Sequence, residues 1–299
     1  MDYNKPFLKW VGGKNQILEE VFLKFPKSID TYYEPFLGGG SVLIELLRRT
    51  KNKEIKVKKI YAYDLNESLI SCYRNIQINP KKLCEDLNKL EKKYNKLQGE
   101  EIIRNPKNLK EAYTSKESYY YWIRNRFNSL TQKQKNTIGG TSIFIFLNKT
   151  CFRGMYRTGK NGFNVPFGHY KKIVLPSEEH INKLNSIFQN VIFECKSFQE
   201  SLKDIKQGDF VYMDPPYVPI NKTSFVSYNS SGFDEKQHKE LFDICNKLVN
   251  KNIKFLMSNS DTQLIKESIT NVSIINILCK RHINSKNPGS RVMEVLVFN

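Results

Sequence analysis

Long apolar runs are missing from this chain of 299 residues. A membrane-spanning helix needs about 18 or more consecutive apolar residues, and the stretch from Ile143 to Leu147 is typical of the longest here. Behind Met1-Asp2-Tyr3-Asn4-Lys5 there is no signal-peptide core, so no secretory leader is expected. The six cysteines (Cys72, Cys84, Cys151, Cys195, Cys245 and Cys279) form no Cys-x-x-Cys pair and no Cys/His cluster at zinc spacing. A reduced, intracellular, metal-free protein without a membrane anchor is the expectation. Acidic residues are the other shortage: 30 against 48 basic ones, a net charge of +18. An excess of that size steers a protein towards a polyanion, nucleic acid first. Lysine runs such as 51–59 also read as solvated faces, so charge alone does not decide.

What is present is enough hydrophobic content, 39% with 12% aromatic, to build a substantial globular core. The stretch Val211-Tyr212-Met213-Asp214-Pro215-Pro216-Tyr217 carries the most information. A short apolar run reads as a buried strand, which Pro215 must end because proline has no N–H for the ladder. Pro216 restricts Pro215 to an extended conformation and so fixes the direction of its carbonyl. A carboxylate, a fixed carbonyl and an aromatic ring are thereby crowded at the carboxyl end of a strand, where open α/β sheets bind ligands. For a lone Asp-Pro pair a simple turn would suffice. Asp-Pro-Pro-Tyr after a buried strand favours a functional site.

Two phosphate-binding signatures are absent. Around Trp10, the segment Gly12-Gly13-Lys14 lacks the glycine spacing and the Ser/Thr of a P-loop. The turn Glu34-Pro35-Phe36-Leu37-Gly38-Gly39-Gly40-Ser41 lacks the Gly-x-Gly-x-x-Gly spacing of a dinucleotide site. It still reads as strand, glycine turn and helix, with backbone open to a ligand and free N–H groups at the helix start. A second strand over 59–66 brings Asp64 to the position at which doubly wound folds place a carboxylate on ribose hydroxyls.

Helices are expected over 16–25, 42–49, 68–79, 82–97, 119–129 and 198–205, and one is expected to begin at Asp234, capped with Gln237. Strands are expected at 191–193, 210–214, 253–257, 272–278 and 292–298, the last two antiparallel. Residues 149–172 interleave Arg153, Arg157, Lys160, Lys171 and Lys172 with Phe152, Tyr156, Phe163 and Tyr170. Such a segment suits contact with guanine edges, phosphates or unstacked bases, or an ordinary surface hairpin. The polar loop 218–232 is long enough for a lid.

The order of these motifs resembles the Dam-type, D12 class DNA adenine-N6 methyltransferases over nearly the whole chain. The resemblance rests on Phe7-Leu8-Lys9-Trp10 with Gly12-Gly13-Lys14, Glu34-Pro35-Phe36 with Gly38 and Gly40, Asp64, Phe163-Asn164-Val165-Pro166-Phe167-Gly168, and Asp214 to Tyr217. It implies a Rossmann-like α/β methyltransferase fold in residues 1–66 and 191–299, with a mainly helical target-recognition domain, 67–190, inserted in it. It also implies S-adenosylmethionine as cofactor, held by Trp10, Lys14, Glu34, Phe36, Gly38, Gly40, Asp64 and Asp214, with no metal. Asp214, Pro215 and Tyr217 would be catalytic. Lys9, Phe152, Met155, Arg157, Pro166, His169 and Tyr170 would meet double-stranded DNA, Phe152 as a wedge, at a GATC-like target. Arg153 departs from the small polar residue common in the family. A monomer is expected, with a cognate restriction endonuclease acting separately. Enzymes that methylate RNA or a glutamine amide usually carry Asn-Pro-Pro-Tyr, and a DNA-binding protein that had lost activity would show a broken motif; neither applies here.

Overall fold

The computed structural model describes residues 5–219, 233–280 and 291–299. Most of the expected lid, including Phe225 and Tyr228, lies outside those residues, as do residues 281–290. The chain divides into two compact units.

One unit comprises residues 14–37, 45–65 and 190–299. Its strands are β1 (Ser28–Glu34), β2 (Lys56–Tyr63), β5 (Val191–Glu194), β6 (Phe210–Met213), β7 (Lys254–Ser260), β8 (Ser273–Lys280) and β9 (Arg291–Phe298), while β3 (Thr158–Gly159) and β4 (Gly162–Phe163) belong to the other unit. The sheet order is β5-β2-β1-β6-β7-β9-β8. β5, β2, β1, β6 and β7 run parallel, and β9 reverses direction beside β7 and pairs antiparallel with β8. This is a mixed α/β sheet, mostly parallel with an antiparallel ending, as expected. The chain moves outward from β1 through β2 to β5, then returns to the other side of β1 at β6. That reversal is a topological switch point, which opens a crevice at the carboxyl ends of β1 and β6.

β6 is buried throughout, as a central parallel strand covered on both faces must be. Val211 and Met213 join Phe255, Met257, Val295 and Val297 in one apolar cluster with Leu241, Phe242, Cys245 and Leu248 of the helix Glu235–Asn250. That helix starts at Asp234 with the expected capping box. Phe210 turns to the opposite face, edge-on to Phe25 at 4.7 Å. Several expected elements differ in extent. α1 covers only Leu18–Phe22, because Pro26 disfavours helical geometry at Phe25. β2 ends at Tyr63, one residue before Asp64, and the helix expected over 198–205 covers only Phe198–Ser201.

The other unit comprises residues 1–13, 38–44 and 66–189 and is mainly helical among its described residues. Helix α2 (Ser41–Lys51) begins in it; α3 (Glu67–Ile78), α4 (Pro80–Lys96), α5 (Leu109–Ala112), α6 (Lys116–Ser129), α7 (Gln132–Lys135), α8 (Ile138–Thr150) and α9 (Glu178–Phe188) follow. α8 packs against α3, α4 and α6, and its apolar run 143–147 is buried all round. Phe146 lies edge-on to Tyr94 and Tyr119, each 5.8 Å away.

Candidate active site

At the switch point, the crowding read from the sequence takes a definite geometry. Lys14 Nζ donates to Asp214 Oδ2 at 2.7 Å; the lysine side chain is 5% exposed and the aspartate 20%. Burial raises the Asp214 carboxyl above the ordinary carboxylate range, and the Lys14 ammonium opposes that rise. Pro215 is buried directly after it. The Tyr217 ring lies 5.0 Å from the Lys14 ammonium, and its hydroxyl donates to Glu294 Oε2 at 2.8 Å. The backbone after Tyr217 is tied to the end of β7: Val218 N–H donates to Asn259 Oδ1 at 3.0 Å, and Ser260 Oγ donates to the Val218 carbonyl at 2.5 Å.

β1 ends in Glu34, which is 2% exposed and accepts a 2.7 Å hydrogen bond from the Tyr32 hydroxyl. Burial, with Asp214 adding to it, pushes the Glu34 carboxyl up to about 8. Phe36 stacks on Phe198 at 5.5 Å and meets Phe233 edge-on at 5.9 Å. Asp64 stands half-buried one residue past β2. Of the expected site residues, Lys14, Asp214 and Tyr217 are brought into direct contact, and Glu34 is electrostatically coupled to Asp214.

Glu294, Asn259 and Tyr32 were not among the site residues expected from the sequence. Glu294 did leave a signal, an acid in the otherwise apolar strand Val292-Met293-Glu294-Val295. Asn259 lay in the polar triplet Ser258-Asn259-Ser260 at the end of an apolar strand.

In the helical unit, Trp10 packs on the glycine turn. A Cβ added at Gly38 would lie 2.9 Å from Trp10 Cδ1, and one at Gly39 2.9 Å from Trp10 Cβ, so only glycine permits this approach. Tyr73 OH donates to the Gly38 carbonyl at 2.9 Å, and Gly40 holds φ of 70°. On its outer side the indole stacks with Tyr156 at 6.0 Å, and it remains half-buried.

The basic-aromatic segment is a 3-10 turn, Phe152–Gly154, followed by strands of only two residues each, a smaller hairpin than its length suggested. Side chains from the helices pin it. Asn148 accepts from Lys9 N–H at 2.8 Å and donates to the Lys9 and Gly154 carbonyls, Tyr120 OH donates to the Val165 carbonyl at 2.7 Å, and Tyr94 OH donates to the Tyr170 carbonyl. Phe152 is 43% exposed, with the Arg153 guanidinium 5.2 Å from its ring and Arg153 itself at φ 55°. Lys9 Nζ sits 4.1 Å over the Tyr170 ring. Arg157 Nε donates to Asn164 Oδ1 at 2.7 Å. His169 is exposed, with Nδ1 3.8 Å from Glu117 Oε2; Pro166 is exposed and Met155 half-buried. Lys149, behind Lys9, is a residue the sequence reading passed over: burial, with the Lys9 charge adding to it, depresses its amine to about 8.

Among the described residues no group of histidine, cysteine or acidic side chains could hold a metal ion, and no helix is long and apolar enough to cross a membrane.

Comparison with known proteins shows the family. Residues 10–283 match the family described as D12 class N6 adenine-specific DNA methyltransferase. The chain is 34% identical to the Type II methyltransferase M.MjaIII of Methanocaldococcus jannaschii, over 99% of each chain. It is 29% identical to the Type II methyltransferase M1.LlaDCHI of Lactococcus lactis subsp. cremoris, over 99% of this chain and 95% of that one. It is 30% identical to the DNA adenine methylase of Escherichia coli K12, over 97% of this chain and 93% of that one.

Proposed function

Because the chain belongs to the D12 class of N6 adenine-specific DNA methyltransferases, we propose that it transfers a methyl group from S-adenosylmethionine to an adenine turned out of duplex DNA, within a short palindrome such as GATC. Catalysis is assigned to residues 1–66 and 191–299, and target reading to 67–190. One observation carries the reading: Asp214, held by Lys14 at 2.7 Å, stands beside the Pro215 carbonyl and the Tyr217 ring at the switch point of the sheet.

An adenine amino group is a weak nucleophile because its lone pair is delocalised into the ring. Two acceptors, the Asp214 carboxylate and the Pro215 carbonyl, would take its two hydrogens, draw the nitrogen towards tetrahedral geometry and free the lone pair. Lys14 favours the ionised form of Asp214 against the cost of burial. Tyr217 offers a face on which the base stacks. Positioning and fixed electrostatics then supply most of the rate.

S-adenosylmethionine is assigned to the residues that the resemblance implies. Asp64 presents a carboxylate suited to ribose hydroxyls, and the glycine turn at Gly38 and Gly40 is held in shape by Trp10 and Tyr73. Lys14, Glu34, Phe36 and Asp214 complete the set. When bound, the cofactor supplies an electrophilic methyl group on a sulfonium.

On the DNA side, exposed Phe152 would fill the gap left by the extruded base, offsetting part of an unstacking cost of a few kcal/mol. Arg157, Met155, Pro166, His169, Tyr170 and Lys9 form the reading surface. Arg157 must exchange its bond to Asn164 for a base edge, which couples recognition to a local rearrangement. The expected partners are double-stranded DNA and, acting separately, a cognate restriction endonuclease.

Long-read sequencing of DNA from cells expressing the protein tests this reading. The expected result is N6-methyladenine confined to one short motif; unmodified DNA, or a modified cytosine, would overturn it.

A further inference from the structure

We propose that Glu294 is the positioning residue of Tyr217, fixing the ring that stacks on the target base and enriching it with negative charge through the phenol hydrogen bond. The inference rests on the methyl-transfer reading above. It starts from topology. Because β9 runs against the parallel strands, its first residues lie at their carboxyl ends, with Glu294 opposite Ser260 in the register of β7 and β9. A parallel strand in that place would carry its first residues to the far side of the sheet. The reversed strand thus delivers an acid to the crevice.

Tyr217 is consequently held from both sides. Its hydroxyl donates to Glu294 Oε2 at 2.8 Å, and the next residue, Val218, is clamped by Asn259 and Ser260, cross-strand neighbours of Val295 and Glu294. Burial, with the Glu294 carboxylate adding to it, raises the pKa of the Cys279 thiol on β8. A charged acceptor makes the stronger kind of hydrogen bond and pushes electron density into the phenol ring. Methyl transfer places positive charge on the adenine nitrogen, and an electron-rich face attracts a cation. Lys14 Nζ, 5.0 Å from the ring centroid, is a cation already placed on this ring.

Glu294 acts on Asp214 as well. The charged and titratable groups that face Asp214 are Lys14, Glu34, Tyr212, Tyr217 and Glu294; burial raises its carboxyl pKa, Lys14 draws it down, Glu294 raises it further and the Tyr217 hydroxyl lowers it. Neutralising Glu294 therefore extends the ionised range of Asp214 to lower pH.

The test is a double-mutant cycle with a pH profile. Glu294→Ala and Tyr217→Phe should each lower kcat about tenfold, the worth of one charge-assisted hydrogen bond, and the double variant should be no worse than either. Glu294→Gln keeps an acceptor without the charge. Its kcat should fall about five- to tenfold, cofactor affinity should be unchanged by calorimetry, and the acid limb of kcat/KM should move to lower pH. A purely structural role would leave that limb where it is. Multiplying single effects, or an unmoved limb in Glu294→Gln, would overturn the inference while the wild-type protein still methylates adenine. A wild-type protein that methylates no adenine would instead overturn the reading beneath it.

Discussion

Replacing Lys14 by methionine separates what the ion pair does for folding from what it does for catalysis. Lys14 is 5% exposed and Asp214 20%, with 2.7 Å between their charged atoms. Removing one partner of a buried pair leaves the other charge desolvated and costs about 3–5 kcal/mol. The partial exposure of Asp214 lets water reach it, so the lower end, about 3 kcal/mol, applies. At about 2–4 °C per kcal/mol in chains of this size, Tm should fall by roughly 6–12 °C. Asp214 also loses the charge that opposes its burial, so its carboxyl becomes neutral at higher pH and the acid limb of kcat/KM moves up. The double variant Lys14→Met with Asp214→Leu replaces the pair by apolar groups. It should regain most of the lost Tm, since such replacements are often neutral or better, and should stay inactive. Thermal unfolding by circular dichroism and labelled-methyl incorporation read the two effects. An unchanged Tm in Lys14→Met, or activity in the double variant, would refute the reasoning.

Stability should also respond to Glu34. Its folded pKa of about 8 lies above the ordinary value of 4.5. The contribution of the protonated carboxyl is therefore fully present below about pH 4.5 and is lost as pH rises towards 8. Glu34→Gln should flatten that loss in Tm scans between pH 5 and 8; a slope equal to wild type would exclude Glu34 as its source. Phe152→Ala should slow base extrusion while leaving cofactor affinity unchanged, and a fluorescent base analogue that still flips at the normal rate would remove the wedge role. Trp10→Ala should weaken S-adenosylmethionine binding by calorimetry, and an unaltered Kd would reduce Trp10 to packing on the glycine turn.

The parts legible in the sequence are those written in local chemistry. Pro215 cannot continue a central strand, so the end of β6 and the place of Asp214 at it followed from a few adjacent residues. Asp234 with Gln237, and the glycine turn before Ser41, were legible for the same reason. The run 143–147 could not be typed, because an apolar stretch buried all round has no periodicity to distinguish strand from helix; the structure makes it the middle of α8. Helix α9 was overlooked despite a signal, the Ser177 cap followed by Ile181, Leu184 and Phe188 on one face. Glu294 left its signal as a lone acid in an apolar strand, but its pairing lay beyond reach for a different reason. Its partner Tyr217 is distant in sequence, and only the pairing of β7 with β9 brings the two together.

The most direct test of the central claim digests duplex DNA after incubation with purified protein and S-adenosylmethionine, and quantifies the nucleosides by mass spectrometry. Wild-type protein should produce N6-methyladenine. Asp214→Ala should produce it about 10²–10³ times more slowly, the loss expected for one fixed transition-state contact, while retaining the same DNA affinity. Equal product from both proteins, or none from wild type, would contradict the account.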